Sequence, residues 1–251
     1  VSVAAAIGVN VAHAKSQAFT PDGVTLTANG GEIALTAGGN TDASASADGS
    51  SVGKDIPPQA GGTKIGVGAA VAVNYAQIKT EATLGVAGHK AQGLTLETTA
   101  ADDGTGDTAS VFGASAQSGA GSAKVGVAGS LAVNVIDNSS AALIAGSSTA
   151  PQIVDAGSGA VHIGAEGHAV SNASATPTAA GGASASDVGV GASVAVNVVD
   201  NTARAKLGDN AKLENADSLT LTASGDYTME TIAEGGAAGK IAVTPVVAVS
   251  V

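Results

Sequence analysis

The chain has 251 residues and is 44% hydrophobic but only 2% aromatic, so its apolar content is Ala, Val, Ile and Leu, with 36 Gly interspersed. This composition argues against an enzyme pocket lined by aromatic side chains, and a charged fraction of 12% argues against charge-driven disorder. A net charge of −11 disfavours nucleic acid and anionic membrane as partners, and the lack of cysteine removes disulfides, thiol nucleophiles and zinc–thiolate sites.

In chain order, residues 1–10 are apolar like part of a signal peptide, but they carry no basic segment and they recur downstream. VAAAIGVN at residues 3–10 returns as GVGAAVAVN at 66–74, GVAGSLAVN at 126–134 and GVGASVAVN at 189–197, with a degenerate copy at 242–250. The steps between Asn10, Asn74, Asn134 and Asn197 are 64, 60 and 63 residues. A second block keeps phase with the first: VTLTA at 24–28, LTLET at 94–98, VHIGA at 161–165 and LTLTA at 219–223. The chain therefore reads as one continuous array over 1–251, divided near 1–64, 65–124, 125–187 and 188–251 and cut from a longer protein. No run of eighteen uninterrupted apolar residues suggests a transmembrane helix.

Within the first block the period is two. Val188, Val190, Ala192, Val194, Val196 and Val198 alternate with Gly189, Gly191, Ser193, Ala195 and Asn197, a pattern of β-strands, since branched side chains suit a pleated surface and Gly weakens helices. The branched positions are expected to fill an interior. After the Asn, apolar residues move to the other phase (Ile136, Ala142, Ile144; Val199, Ala203, Ala205, Leu207), so a bulge or corner is expected at Asp137-Asn138 and Asp200-Asn201. The reading is all-β, a parallel β-solenoid (β-helix) in which similar residues stack at about 4.8 Å. With about 20 to 30 residues per rung it predicts roughly 8 to 12 rungs and a rod of about 40 to 60 Å. Asn10, Asn74, Asn134 and Asn197 are expected to form a ladder of stacked amides.

Candidate sites are few. Asp102, Asp103 and Asp107, on a Gly-hinged stretch, have the hard oxygen ligands that suit calcium, although a solvated turn explains them as well. His13, His89, His162 and His168 lack zinc-site spacing. Asn138-Ser139-Ser140 and Asn172-Ala173-Ser174 match the glycosylation triplet, which is common by chance. Arg204 lies beside Lys206 without the carboxylate cluster that a polysaccharide-active β-helix enzyme needs. A regular Thr array for ice binding is interrupted by His162 and Gly164, and four Phe and Tyr cannot girdle an outer-membrane barrel. Both faces of the first block are apolar, one of them small. That small face, marked by Ala70, Ala132 and Ala195, is either covered by another layer of the chain or free for self-association. The stretches 36–63 and 100–123 read as the longest surface loops.

The GVGASVAVN-type block with its trailing Asp-Asn-Thr or Asp-Asn-Ser, together with LTLTA-type strands linked by Ser, Ala and Gly, resembles the repetitive shafts of giant bacterial secreted adhesins. These are the filamentous-haemagglutinin-like and leukotoxin-like surface proteins exported by autotransporter or two-partner routes. The resemblance implies a β-helical rod at the cell surface or in the extracellular matrix. It implies further copies of the repeat as partners, ligand recognition by other domains, and no catalytic residue or cofactor to carry over.

Overall fold

The computed structural model describes residues 1–51, 65–121, 123–149, 151–177 and 183–251. Among these the chain is all-β with parallel sheets and contains no helix. The first repeat supplies β1 (Ser2–Phe19), β2 (Ile33–Gly39) and β3 (Ala43–Ser50). The second supplies β4 (Ile65–Leu84), β5 (His89–Lys90), β6 (Leu94–Ala100) and β7 (Ser110–Gly119). The third has β8 (Ala123–Ile144), β9 (Gln152–Asp155) and β10 (Ala160–Pro177), and the fourth β11 (Ala183–Leu207), β12 (Ala211–Glu214) and β13 (Ser218–Ala233). Three short strands, β14 (Ala237–Ala238), β15 (Ile241–Val243) and β16 (Val246–Ser250), complete the order.

Repetition in sequence becomes stacking in space. The first sheet runs β1-β4-β8-β11 and is continued by β14, β15 and β16; the second holds β2, β6, β10, β7, β3 and β13; a small third sheet, β12-β9-β5, lies at the turn between them. Every pairing is parallel, and the partners of Asn74 are Asn10 and Asn134, residues a whole repeat away. Each repeat thus adds one level to each sheet. Rungs of 20 to 30 residues do not occur: the first sheet is five strands deep, about 20 Å at the spacing of a β-sheet. Its long strands, near 20 residues each, run about 60 Å, so the chain is broader along its strands than it is tall.

The two large sheets lie face to face, and their inner surfaces are not the branched ones. In β4 the buried positions are Gly66, Gly68, Ala70, Ala72, Asn74, Ala76, Ile78, Thr80, Ala82 and Leu84, while Ile65, Val67, Val71, Val73 and Tyr75 point outward. The expectation that valines fill the interior is therefore reversed. The reason is distance. A Cβ added at Gly68 would overlap the carbonyl oxygen of Gly119, and one at Gly8 that of Ser46, so the sheets approach backbone to backbone; only Gly fits at these points, and Ala or Ser at the inner positions beside them. Ala45, Ala47, Ala114, Ala116, Ala173 and Ala175 of the second sheet meet Ala70, Ala72, Ala132 and Ala195 of the first in a core made of methyl groups.

Farther along the same strands the gap widens. Leu84 and Ile144 face Leu94, Leu96, Val161 and Ile163 in a conventional aliphatic core, with Phe112 and Ile136 between the two zones. This wedge explains the apparent change of phase after the asparagine. No corner forms at Asp137-Asn138 or Asp200-Asn201: β8 and β11 run through both without a register shift. The inner face stays the inner face and its side chains grow as the sheets diverge.

Two further alignments change. Val24–Ala28 does not pair with the LTLET block; Ile33–Ala37 does, with Ile33 opposite Leu94 and Leu35 opposite Leu96. Val24–Ala28 instead lies at the turn, where Thr27 bridges Lys90. Part of each supposed loop is strand: β2 ends and β3 lies within the first stretch, and β7 lies within the second. Residues 52–63 of the first stretch and 122 of the second lie outside the described residues.

Volume on the inner face is the quantity under constraint. Ala132→Leu is expected to lower unfolding free energy by about 3 kcal/mol or more through overpacking, whereas the adjacent outward change Val133→Thr stays within about 0.5 kcal/mol; urea denaturation of both variants measures the contrast.

Candidate functional site

The most connected polar group among the described residues is a column of asparagines on the inner face of the first sheet, where the tight and wide zones meet. Asn74, Asn134 and Asn197 are wholly buried. Parallel in-register pairing sets the four side chains one above another, and each amide donates to the next: Asn10 Nδ2 to Asn74 Oδ1 at 2.7 Å, Asn74 Nδ2 to Asn134 Oδ1 at 2.8 Å, and Asn134 Nδ2 to Asn197 Oδ1 at 3.2 Å.

The column also joins the sheets. Asn74 Nδ2 donates to the Ala43 carbonyl at 3.0 Å, and Asn197 Nδ2 donates to the carbonyls of Ser171 and Glu230, both at 3.1 Å. Asn134 Nδ2 donates to Ser171 Oγ at 2.8 Å, and that hydroxyl donates in turn to Asn197 Oδ1 at 2.8 Å. An unpaired buried amide costs more than a paired one contributes, so each Asn holds its neighbours above, below and across the gap. Ser130 and Ser193, two inner positions into the tight zone, share a hydrogen bond of 2.9 Å, and Ser140 donates across to Thr98 Oγ1 at 2.9 Å.

The remaining candidate residues are dispersed. Asp102 accepts from the amides of Gly104 and Gly106, and Asp103 from the amide and hydroxyl of Thr105, so both carboxylates turn back on their own loop. The Thr105 hydroxyl and amide hold the Asp103 carboxyl below its usual range. Asp107 closes the loop by accepting from the Ala109 amide at 2.8 Å. Among the described residues no three His, Asp or Glu side chains gather as a metal site.

His89 is a buried fixture of the turn: its Nε2 lies 3.0 Å from the Gly85 carbonyl and its Nδ1 accepts from the Leu26 amide at 3.2 Å. That pairing fixes the tautomer with hydrogen on Nε2. Sequence reasoning did not single out this clamp, and the position of His89 just before the second block was its only signal. His168 sits 3.3 Å from Glu166 and 3.2 Å from Thr108, and His13 packs edge-on against Tyr75 on the outer face. Arg204 and Lys206 share a shallow surface groove with a single carboxylate, Asp209.

Ala70, Ala132 and Ala195 are enclosed within the chain against the second sheet. Of the two covers open to the small face, the internal one is present, and these alanines are not a surface for another molecule. The outward surface of the first sheet is the branched one.

Comparisons with protein-family models, with curated proteins and with solved structures gave no match to this chain. No helix among the described residues is long and apolar enough to cross a membrane.

Replacing Asn134 by Leu removes partners from Asn74, Asn197 and Ser171 together, and is expected to cost about 2 to 4 kcal/mol; Asn10→Leu, at the end of the column, costs about 1 kcal/mol. Equilibrium denaturation of the two variants beside the parent tests the ranking.

Proposed function

We propose that this chain is a non-catalytic structural segment: a stretch of parallel β-solenoid, four turns and the start of a fifth, that serves as a spacer in a secreted bacterial surface adhesin. The observation that carries the reading is the pairing of every strand with the equivalent strand one repeat away, in parallel and in register. An in-register stack built from structurally equivalent repeats extends by addition, and its stability accumulates level by level. The best-formed polar cluster, the asparagine column, is spent on holding sheets together and offers no open group to a substrate.

A turn of about 60 residues adds only about 4.8 Å of height. The spacer proposed here is accordingly a broad, stiff plank, longer in sequence than in reach. Its ligand recognition belongs to other domains, and its place is outside the cell, as the resemblance of its repeats to adhesin shafts implies.

Inserting a second copy of residues 65–187 directly after Asp187 tests the coil. Two added repeats should lengthen the particle by about 10 Å along the stacking axis in electron microscopy or small-angle scattering, with the cross-section unchanged. Growth in any other direction contradicts the coil, and turnover of an acidic polysaccharide by the purified chain contradicts the non-catalytic assignment.

A further inference from the structure

The outward face of the first sheet has the opposite character from a solvated sheet surface. Parallel pairing sets Ile7, Val71, Leu131, Val194 and Val247 in one column and Val9, Val73, Val133, Val196 and Val249 in the next. On the other side of the first column lies a furrow of small residues, Ala5, Ala69, Gly129 and Ala192, and beyond it a ridge of Val3, Val67, Val127, Val190 and Val243. No charged residue interrupts these columns. Ile7 is 77% exposed and Val9 65%, and inside the sheet Val127 still shows 39% of its surface.

Five strands spaced by about 4.8 Å and nine residues along each strand give a patch of roughly 700 Å². That exceeds what a monomer ordinarily leaves to water, and two such patches face to face bury about 1,400 Å², inside the range of stable protein interfaces.

We propose that two copies of the chain pair through this face, about a two-fold axis that runs along the stacking direction over the Ile7–Leu131 column. The rotation reverses strand direction across the interface. It lays the Val9–Val133–Val196 ridge of each copy into the Ala5–Gly129–Ala192 furrow of the other, and sets the central column against itself. Turning one copy about its strand axis instead would set every ridge on its own counterpart and leave both furrows empty, whereas this rotation fills both furrows and leaves ridge on ridge only at the central column and where Val11–Tyr75–Val135 meets Val3–Val67–Val127. A matching surface must be flat, apolar and corrugated at the spacing of a β-sheet, and a second copy of this chain provides it. The pairing follows from the burial of the two faces and holds whether or not the chain acts as a spacer.

Sedimentation equilibrium, with three variants whose substitutions lie on the outer face, tests the pairing. A Cβ added at Gly129 has no atom within 4 Å beyond its own chain neighbours, so Gly129→Leu extends into the open furrow. The parent is expected to be a dimer at about 100 µM, Gly129→Leu to weaken association at least about tenfold, and Val133→Lys to leave monomer. In a chain without cysteine, Leu131→Cys should cross-link to itself on mild oxidation, while Ser139→Cys, outside the patch, should not. A monomeric parent overturns the proposal. So does association that neither Gly129→Leu nor Val133→Lys weakens, cross-linking at Ser139→Cys as fast as at Leu131→Cys, or capture of a monomeric parent by phosphatidylcholine vesicles.

Discussion

The whole architecture depends on how closely two parallel sheets approach each other. At Gly8 and Gly68 the opposing backbone leaves no room even for a methyl group; beside them the gap admits a methyl group and little more, and the interior becomes alanine. Larger apolar residues on the same strands must then face outward, whatever their hydrophobicity. Burial follows available volume here, and the general tendency of valine to lie inside yields to it. The near absence of aromatic residues has the same origin, since a narrow gap has no room for them; Phe112 lies where the gap begins to open.

The asparagine column stands at the transition between the narrow and the wide parts of the gap. A slip of one residue in any strand would turn its asparagine outward and strand the partners above and below, so the column fixes register where flat alanine faces specify it weakly. Backbone carbonyls of the second sheet accept from the same amides, which couples register in one sheet to position in the other. Hydrophobic burial supplies the driving force in the wide zone; hydrogen bonding supplies specificity in the narrow one.

The strand period and the recurrence of the asparagines could be read in the sequence because both depend on spacing alone. The direction of the faces could not, because Val188 to Val198 look like a core to any rule that ranks residues by hydrophobicity, and only the position of the opposing backbone decides otherwise. Strands such as Ala43–Ser50 were hidden for a related reason: alternating Ala and Ser resembles a linker until one sees that each alanine fills a narrow gap. The paired copy at Ile33–Ala37 was masked by the similar VTLTA nine residues earlier, and position at the turn separates the two. The depth of the stack required knowing that strands pair across a full repeat.

Thiol accessibility at two adjacent positions addresses the central claim, that the small face is inside and the branched face outside, most directly. In a chain that has no cysteine of its own, Val133→Cys at nanomolar protein should react with a maleimide as fast as a free peptide thiol, and Ala132→Cys should react only as fast as the sheets open. Rapid reaction at Ala132→Cys with protection at Val133→Cys would contradict the account.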